Sequence, residues 1–317
     1  MVRPSKRSLI RVYLAGTLFV TALYGQLSTS SVTGTVRDTS GSVIPGTSVT
    51  LRNVETGVDR STVTNDAGNY LFLSILPGRY TLEASKDGFS KSSLAPFTLE
   101  VNQTATLDFN LRVGGVEQTV TVAAVGAEIQ ASTAEVGAVV SSKQVVDLPL
   151  NGRNFTQLLT LTPGVAPVSV SQNSGSWISS PIGSYSFPAI NGQTNRSNFF
   201  LMDGVSDQAP YTSVYAVPPI VDAIQEFKVQ SHNDQAEFGG ATGGIINVVT
   251  KSGTNEYHGA VWEYLRNNAF DARNRYLSSV TPFKQNMFGA TVGGPVLIPK
   301  IYNGKNKTFF FVGYQGF

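Results

Sequence analysis

The sequence predicts a mainly β protein in three successive parts: a small β-sandwich, a compact mixed helix-and-strand module, and a run of long strands. Hydrophobic residues alternate with period two from Ser31 to Leu111, between regularly spaced turn signals. After about Ala127 apolar residues recur at helical spacing in short stretches broken by Pro and Gly. Beyond Asn255, longer alternating stretches rich in aromatics return. Alternation marks strands with one buried face, and i, i+3, i+4 recurrence marks helices.

Composition supports an exported β-rich protein. The 317 residues include 41% hydrophobic side chains, enough to build a core, but only 14% charged ones, against about 25% in an average soluble protein. The net charge of +2 is misleading: four of the 23 basic residues (Arg3, Lys6, Arg7, Arg11) crowd the N-terminus, and the other 19 face 21 acidic ones. No later stretch concentrates Lys and Arg into a stripe that could neutralise phosphates, so nucleic-acid binding is not expected. With no cysteine, disulfides, thiolate metal sites and cysteine nucleophiles are excluded.

The first segment, residues 1–25, has the order of a secretory signal peptide: a basic stretch, an apolar run from Val12 to about Leu23, then Gly25, Gln26 and Ser28. The run is shorter than the roughly 20 apolar residues of a spanning helix. An uncleaved anchor is the alternative. No later segment could form a transmembrane helix, so any residence in a membrane must use strands.

The sandwich is expected over residues 30–113. Val32, Gly34 and Val36 share one parity; so do Tyr80, Leu82 and Ala84, then Phe97, Leu99 and Val101, then Leu107, Phe109 and Leu111. The breaks at Asp38–Gly41, Pro45–Gly46, Asn65–Gly68, Pro77–Gly78 and Asp87–Gly88 each supply a residue tolerant of positive φ or a proline. Gly34-Thr-Val36-Arg-Asp38, Ile44-Pro45-Gly46, Asp66-Ala-Gly68-Asn-Tyr70, Leu76-Pro77-Gly78-Arg-Tyr80 and Asp87-Gly88-Phe89 together resemble a carboxypeptidase regulatory-like domain. That resemblance implies a transthyretin-like sandwich serving as an accessory module. It implies no peptidase activity, since neither histidine begins a His-x-x-Glu pair.

A linker follows at residues 114–125. Gly114-Gly115 hinges a short β-branched segment, Glu117 to Ala124. Such a segment can add as a strand to a partner's sheet edge, or it can be the first strand of the next module.

The mixed module is expected over residues 126–254. Ser142 can cap a short helix carrying Val145, Val146 and Leu148, stopped by Pro149. Phe155, Leu158 and Leu159 form a second, ended by Pro163-Gly164, and Gly164–Ser186 reads as a long mobile loop. Asn198–Met202 is a strand turning at Asp203-Gly204. Pro219 starts a helix with Val221 and Ile224, ahead of the strands Glu226–Gln230 and Gly243–Thr250.

Asp147-Leu-Pro149-Leu-Asn-Gly152-Arg-Asn154-Phe, Leu161-Thr-Pro163-Gly164, Asn191-Gly192, Phe200-Leu-Met-Asp203-Gly204-Val, Ile224-Gln-Glu226-Phe227 and Lys251-Ser-Gly253-Thr-Asn255 lie in the order seen in one family. They resemble the plug of TonB-dependent outer-membrane receptors of the Oar-like branch. The resemblance implies an outer-membrane location, a periplasmic partner (TonB), a transported ligand of unknown identity, and no enzymatic activity. It also implies that the linker segment, Glu117, Gln118, Thr119, Val120, Thr121 and Val122, is the strand that recruits TonB.

Residues 255–317 read as long strands: Asn255–Arg266, Gln285–Gly293 and Lys307–Phe317. Spanning strands need about 9–11 residues with aromatic girdles. They resemble the first strands of the receptor barrel and would meet outer-membrane lipid once it is complete. A family barrel has about 22 strands, so these three are expected to be the start of an incomplete one; Phe317 reads as the end of a truncated frame or, alternatively, as a true terminal signal.

Other motifs point to no chemistry. Gly239–Gly244 lacks the Gly-Lys-Ser/Thr of a phosphate loop. Asn65–Asn69 lacks the distant Glu of a calcium loop. His232 and His258 stand alone, so no metal, cofactor or catalytic residue is expected. The competing functional reading is a soluble periplasmic or cell-surface sandwich that binds carbohydrate or protein.

Overall fold

A computed structural model of the chain describes residues 29–114, 120–122, 137–150, 153–166, 188–194, 197–209, 215–231, 241–273, 275–280 and 282–316. The signal-like segment, most of the loop expected at Gly164–Ser186, the glycines Gly239 and Gly240, His232 and Phe317 lie outside them.

The first part contains β1 (Ser30–Asp38), β2 (Ser48–Asn53), β3 (Asp59–Val63), β4 (Asn69–Ile75), β5 (Gly78–Ser85), β6 (Ser92–Leu94), β7 (Phe97–Leu99), β8 (Thr104–Thr106) and β9 (Phe109–Leu111). One sheet runs β4-β1-β8, with β9 also on β1; the other includes β6-β5-β2-β3, with β7 also on β5. The alternation seen in the sequence sets which side chains meet. Val32 and Val36 of β1, Tyr70 and Phe72 of β4 and Phe109 of β9 share one core with Val49 and Leu51 of β2 and Leu82 and Ala84 of β5.

Two details show how turns and close approaches hold this register. Asn65 Oδ1 accepts the N–H groups of Ala67 and Asn69 at 3.0 and 2.9 Å, closing the turn in which Gly68 takes φ +72°. That oxygen is occupied by the turn. On β1, a Cβ at Gly34 would stand 1.8 Å from the Leu107 carbonyl oxygen. The absence of a side chain lets the Tyr70 hydroxyl donate to that carbonyl, and burial pushes the phenol above its ordinary pKa. Tyr70→Phe is expected to destabilise the sandwich by ~1–3 kcal/mol, because the buried carbonyl loses its donor. Thermal unfolding of the whole chain checks this.

The segment Val120–Val122 forms β10, parallel to β6. The central module follows: β11 (Gly137–Ser141), helix α1 (Ser142–Asp147), β12 (Val165–Ala166), β13 (Ala189–Ile190), β14 (Phe199–Met202), β15 (Val205–Ser206), β16 (Ile224–Gln230) and β17 (Ile245–Thr250). Its main sheet runs β11-β16-β17-β14-β15, with β14 and β17 parallel. The strand β17 is buried at every residue but the last, the polar Asn247 included. Phe155, Leu159, Phe200, Phe227, Ile246 and Val248 form the core on one side, with the Phe155 and Phe227 rings edge to face, centroids 5.7 Å apart.

The helical expectations are corrected in detail. Phe155–Leu161 is a 3-10 helix, capped by Asn154, whose Oδ1 accepts the Thr156 N–H at 3.0 Å. The cap of α1 is Ser141 rather than Ser142. Between Pro219 and β16 only Val221–Ala223 is helical, and Ile224 already belongs to β16. Side chains three apart share a face in both helix types, so a 3-10 turn meets the same apolar spacing.

The last part is a meander of β18 (His258–Asn267), β19 (Lys284–Pro295) and β22 (Phe309–Gly316), with a small hairpin of β20 (Leu297–Ile298) and β21 (Tyr302–Asn303) between the last two. Val261 lies opposite Ala290, and Ala290 opposite Tyr314; Gly259 lies opposite Val292, and Val292 opposite Val312. This face is exposed, with Val261 at 87%, Leu265 at 67% and Val312 at 57%. The opposite face carries Trp262 and Met287, both buried. An apolar outside is the reverse of a water-soluble sheet.

Candidate functional site

Three features bear on function: the edge strand β10, the seam joining the sandwich to the central module, and the contact of the central module with the meander.

The strand β10 pairs Val120 with Ser92, Thr121 with Ser93 and Val122 with Leu94. Among the described residues it therefore ends the sheet β10-β6-β5-β2-β3 and takes no place in the central sheet. The alternative in which this segment is the first strand of the next module is not what the fold adopts. Glu117, Gln118 and Thr119 lie outside the described residues.

The seam is built from β16 and from the turn between β17 and β18. Glu226 is buried, and its carboxylate accepts the Val101 N–H at 2.5 Å. Two residues on, Lys228 Nζ donates to the Asn102 carbonyl at 3.0 Å. Residues two apart on a strand share a face, so β16 turns Glu226 and Lys228 together toward the sandwich. Desolvation pushes the Glu226 carboxyl up to about 7; nearby Glu100 also raises it, while the Val101 hydrogen bond and Lys228 act the other way. On the second contact, Asn255 donates its backbone N–H to the Glu55 carbonyl at 3.2 Å and its amide to the Thr56 carbonyl at 2.7 Å. Asn306 donates its own N–H to Asn255 Oδ1 at 2.8 Å, which ties the meander to the same point. Beside the Asn255 contact lies a cleft of about 840 Å³, lined among others by Glu55, Leu76, Asp203, Lys251, Glu256 and His258.

Asp203 and Gly204 both take positive φ, 51° and 80°, the conformation of a tight two-residue hairpin turn. Asp203 then accepts the Thr250 N–H and hydroxyl, each at 2.8 Å, and fastens the hairpin to the end of β17.

At the third feature, Arg153 reaches from its turn to the buried Asp222 carboxylate. It also stacks over the Tyr264 ring of β18, 4.7 Å from the centroid, and donates to the Tyr264 hydroxyl at 3.1 Å. Lys251 is half-buried near Asp222; desolvation lowers its pKa and the Asp222 charge partly restores it. The turn Asn-Gly-Arg-Asn was visible in the sequence. Its partners, 69 and 111 residues away, carried no local signal, and neither did Glu226. His258 is exposed, its ring against its own turn, with Nδ1 3.2 Å from the Glu256 carbonyl. Among the described residues no group of three or more His, Asp or Glu could hold a metal ion, and no helix is long and apolar enough to cross a membrane.

Residues 31–112 match the family model of the carboxypeptidase regulatory-like domain, and residues 249–317 that of an outer membrane β-barrel domain. The chain is 29% identical to the TonB-dependent transporter Oar of Myxococcus xanthus over 96% of its own length, and spans 28% of that relative. Overlap with solved structures is partial. The siderophore receptor PirA from Acinetobacter baumannii is 22% identical, with 51% of this chain and 22% of that one covered, at a TM-score of 0.38. Catechol 1,2-dioxygenase from Acinetobacter radioresistens is 14% identical, with 31% of this chain and 58% of that one covered, at a TM-score of 0.24. The curated relative is a transporter rather than an enzyme. The chain is thus similar to a TonB-dependent transporter over nearly all of its own length, with one stretch like a carboxypeptidase regulatory-like domain and another like part of an outer membrane β-barrel domain.

Proposed function

We propose that the chain forms the sandwich, plug and first wall strands of a TonB-dependent outer-membrane receptor, with the central module gating uptake when TonB engages the segment Glu117–Val122. The observation that carries this reading is the two-faced meander. One face of β18, β19 and β22 exposes Val261, Leu265, Phe288, Val292 and Val312. The other turns Tyr264 to Arg153, and Gly313 leaves room where a Cβ would stand 3.4 Å from Ile220 of the central module. A barrel wall with lipid outside and a plug inside requires that pair of faces. The similarity to a TonB-dependent transporter supports TonB as the partner, and the transported ligand stays unassigned.

Cell fractionation tests the location. The native polypeptide, followed by peptides from the central module, is expected to stay in the outer membrane through osmotic shock and to leave it only in detergent. Release by osmotic shock would overturn the receptor reading in favour of a soluble periplasmic binding protein. For the partner, Val120→Cys in this cysteine-free chain is expected to form a disulfide with a cysteine-bearing TonB. No cross-link beside a working control receptor would remove the TonB-recruiting role from that segment.

A further inference from the structure

We propose that the sandwich edge at β6 is a resting dock for Val120–Val122, so that the strand offered to TonB is held on the chain's own sandwich and TonB must compete for it. The proposal rests on the reading of this segment as the TonB-engaging strand.

Two independent observations carry it. First, β10 lies on β6 in parallel register over three residue pairs and terminates that sheet. Without it, the N–H and C=O groups on the outer side of β6 would form an open edge, which is itself a template for another strand. Second, the chain leaving β9 is guided to that edge. Ser90 N–H donates to the Arg112 carbonyl at 2.8 Å, Phe89 and Val113 form a bridge, and Gly114 N–H donates to the Gly88 carbonyl at 3.2 Å. A Cβ at Gly114 would stand 2.6 Å from Ser90 Oγ. Glycine there lets the outgoing chain lie against the loop that runs into β6, within two residues of Ser92.

The dock suits reversible capture. Strand addition draws its affinity from backbone hydrogen bonds, so the same segment can serve the sandwich and a partner in turn. A ladder of three pairs is short, and a partner offering a longer edge displaces it. Because β10 is the last strand of its sheet among the described residues, the competing geometry is a TonB strand added to the outer edge of β10 with β6 still in place. The two geometries differ in whether β10 must leave β6.

The test uses the whole chain with Ser93→Cys and Thr121→Cys, which are in register; adjacent strands satisfy the spacing a disulfide needs. The control pairs Thr121→Cys with Ser61→Cys on β3, at the opposite end of the sheet. The registered pair is expected to cross-link on mild oxidation and the control pair is not. The periplasmic part of TonB, added before oxidation at about ten times its Kd, should lower the cross-linked fraction about tenfold by mass action. The locked chain should bind TonB at least about tenfold more weakly than the same chain after reduction. Failure of the registered pair to cross-link would overturn the dock. Equal TonB binding by the locked and reduced chains would overturn competition and place the partner on the outer edge of β10. A reduced chain that cross-links on reoxidation yet never binds TonB would leave the dock standing and overturn the TonB reading on which the competition rests.

Discussion

Arg153→Ala is expected to destabilise the junction between the central module and β18 by ~3–5 kcal/mol, since removing one partner strands a buried charge. Both side chains of the Arg153–Asp222 pair are nearly enclosed, at 9% and 12% exposure. Loss of the guanidinium also removes the stack on Tyr264, which is a packing loss as much as an electrostatic one. Lys251 stays near Asp222 and offsets part of the penalty, so the lower end of the range is expected. Arg153→Lys should recover little, because a lysine has neither the planar fork nor the face that stacks. The double variant Arg153→Met with Asp222→Asn should lie well above Arg153→Met alone, because the stranded carboxylate is gone, and below the parent, because half-buried Lys251 loses its counter-charge. A double-mutant cycle on denaturant midpoints measures this. Additive effects of the two substitutions would show that the pair contributes no coupling.

Glu226→Gln is expected to make the seam between the sandwich and the central module firmer at pH 8 and to abolish its pH dependence. A Glu freed from the seam titrates near 4.5, and desolvation in the seam raises it to about 7. The joined state therefore holds its proton over a range where the separated state has lost it. The sign follows from linkage: the seam is at full strength below 4.5, weakens as pH rises through about 7, and is level beyond. The shift corresponds to ~3 kcal/mol when fully expressed. Glutamine keeps an oxygen that can accept the Val101 N–H but has no charge to desolvate. Exchange of the Val101 amide, followed by mass spectrometry between pH 5 and pH 8 after correction for intrinsic rates, reads the opening directly. In the parent chain protection should fall across that range, and in Glu226→Gln it should not. The same pH response in both chains would sink the assignment to Glu226.

Both predictions concern residues whose importance could not be read locally. Glu226 was part of a recognisable string with Phe227, yet nothing near it announces Val101, 125 residues away. Arg153 stood in a plain turn. By contrast, the parity sets of the sandwich were visible in full: Val32 and Val36, Leu82 and Ala84, Phe109 and Leu111 are all buried as alternation requires. Strand alternation is local physics, because adjacent side chains must face opposite ways. The same holds for the meander, where Val261, Ala290 and Tyr314 fall on one face by parity and meet through antiparallel register. The short helices were the weaker reading. Phe155, Leu158 and Leu159 kept their buried positions but in a 3-10 turn, because spacing over seven residues does not separate the two helix types.

By itself the sequence determined the mainly β class, the order of the three parts, the faces of the long strands and the absence of cysteine chemistry. Each of these depends on neighbours within a few residues. Only the tertiary structure decided that Val120–Val122 lies on β6 rather than in the central sheet, that Glu226 is desolvated against the sandwich, and that Arg153 joins Asp222 to Tyr264. An edge strand, a buried carboxylate and an ion pair between distant elements each depend on which surface arrives opposite. That is settled by the packing of whole sheets, and no local pattern encodes it.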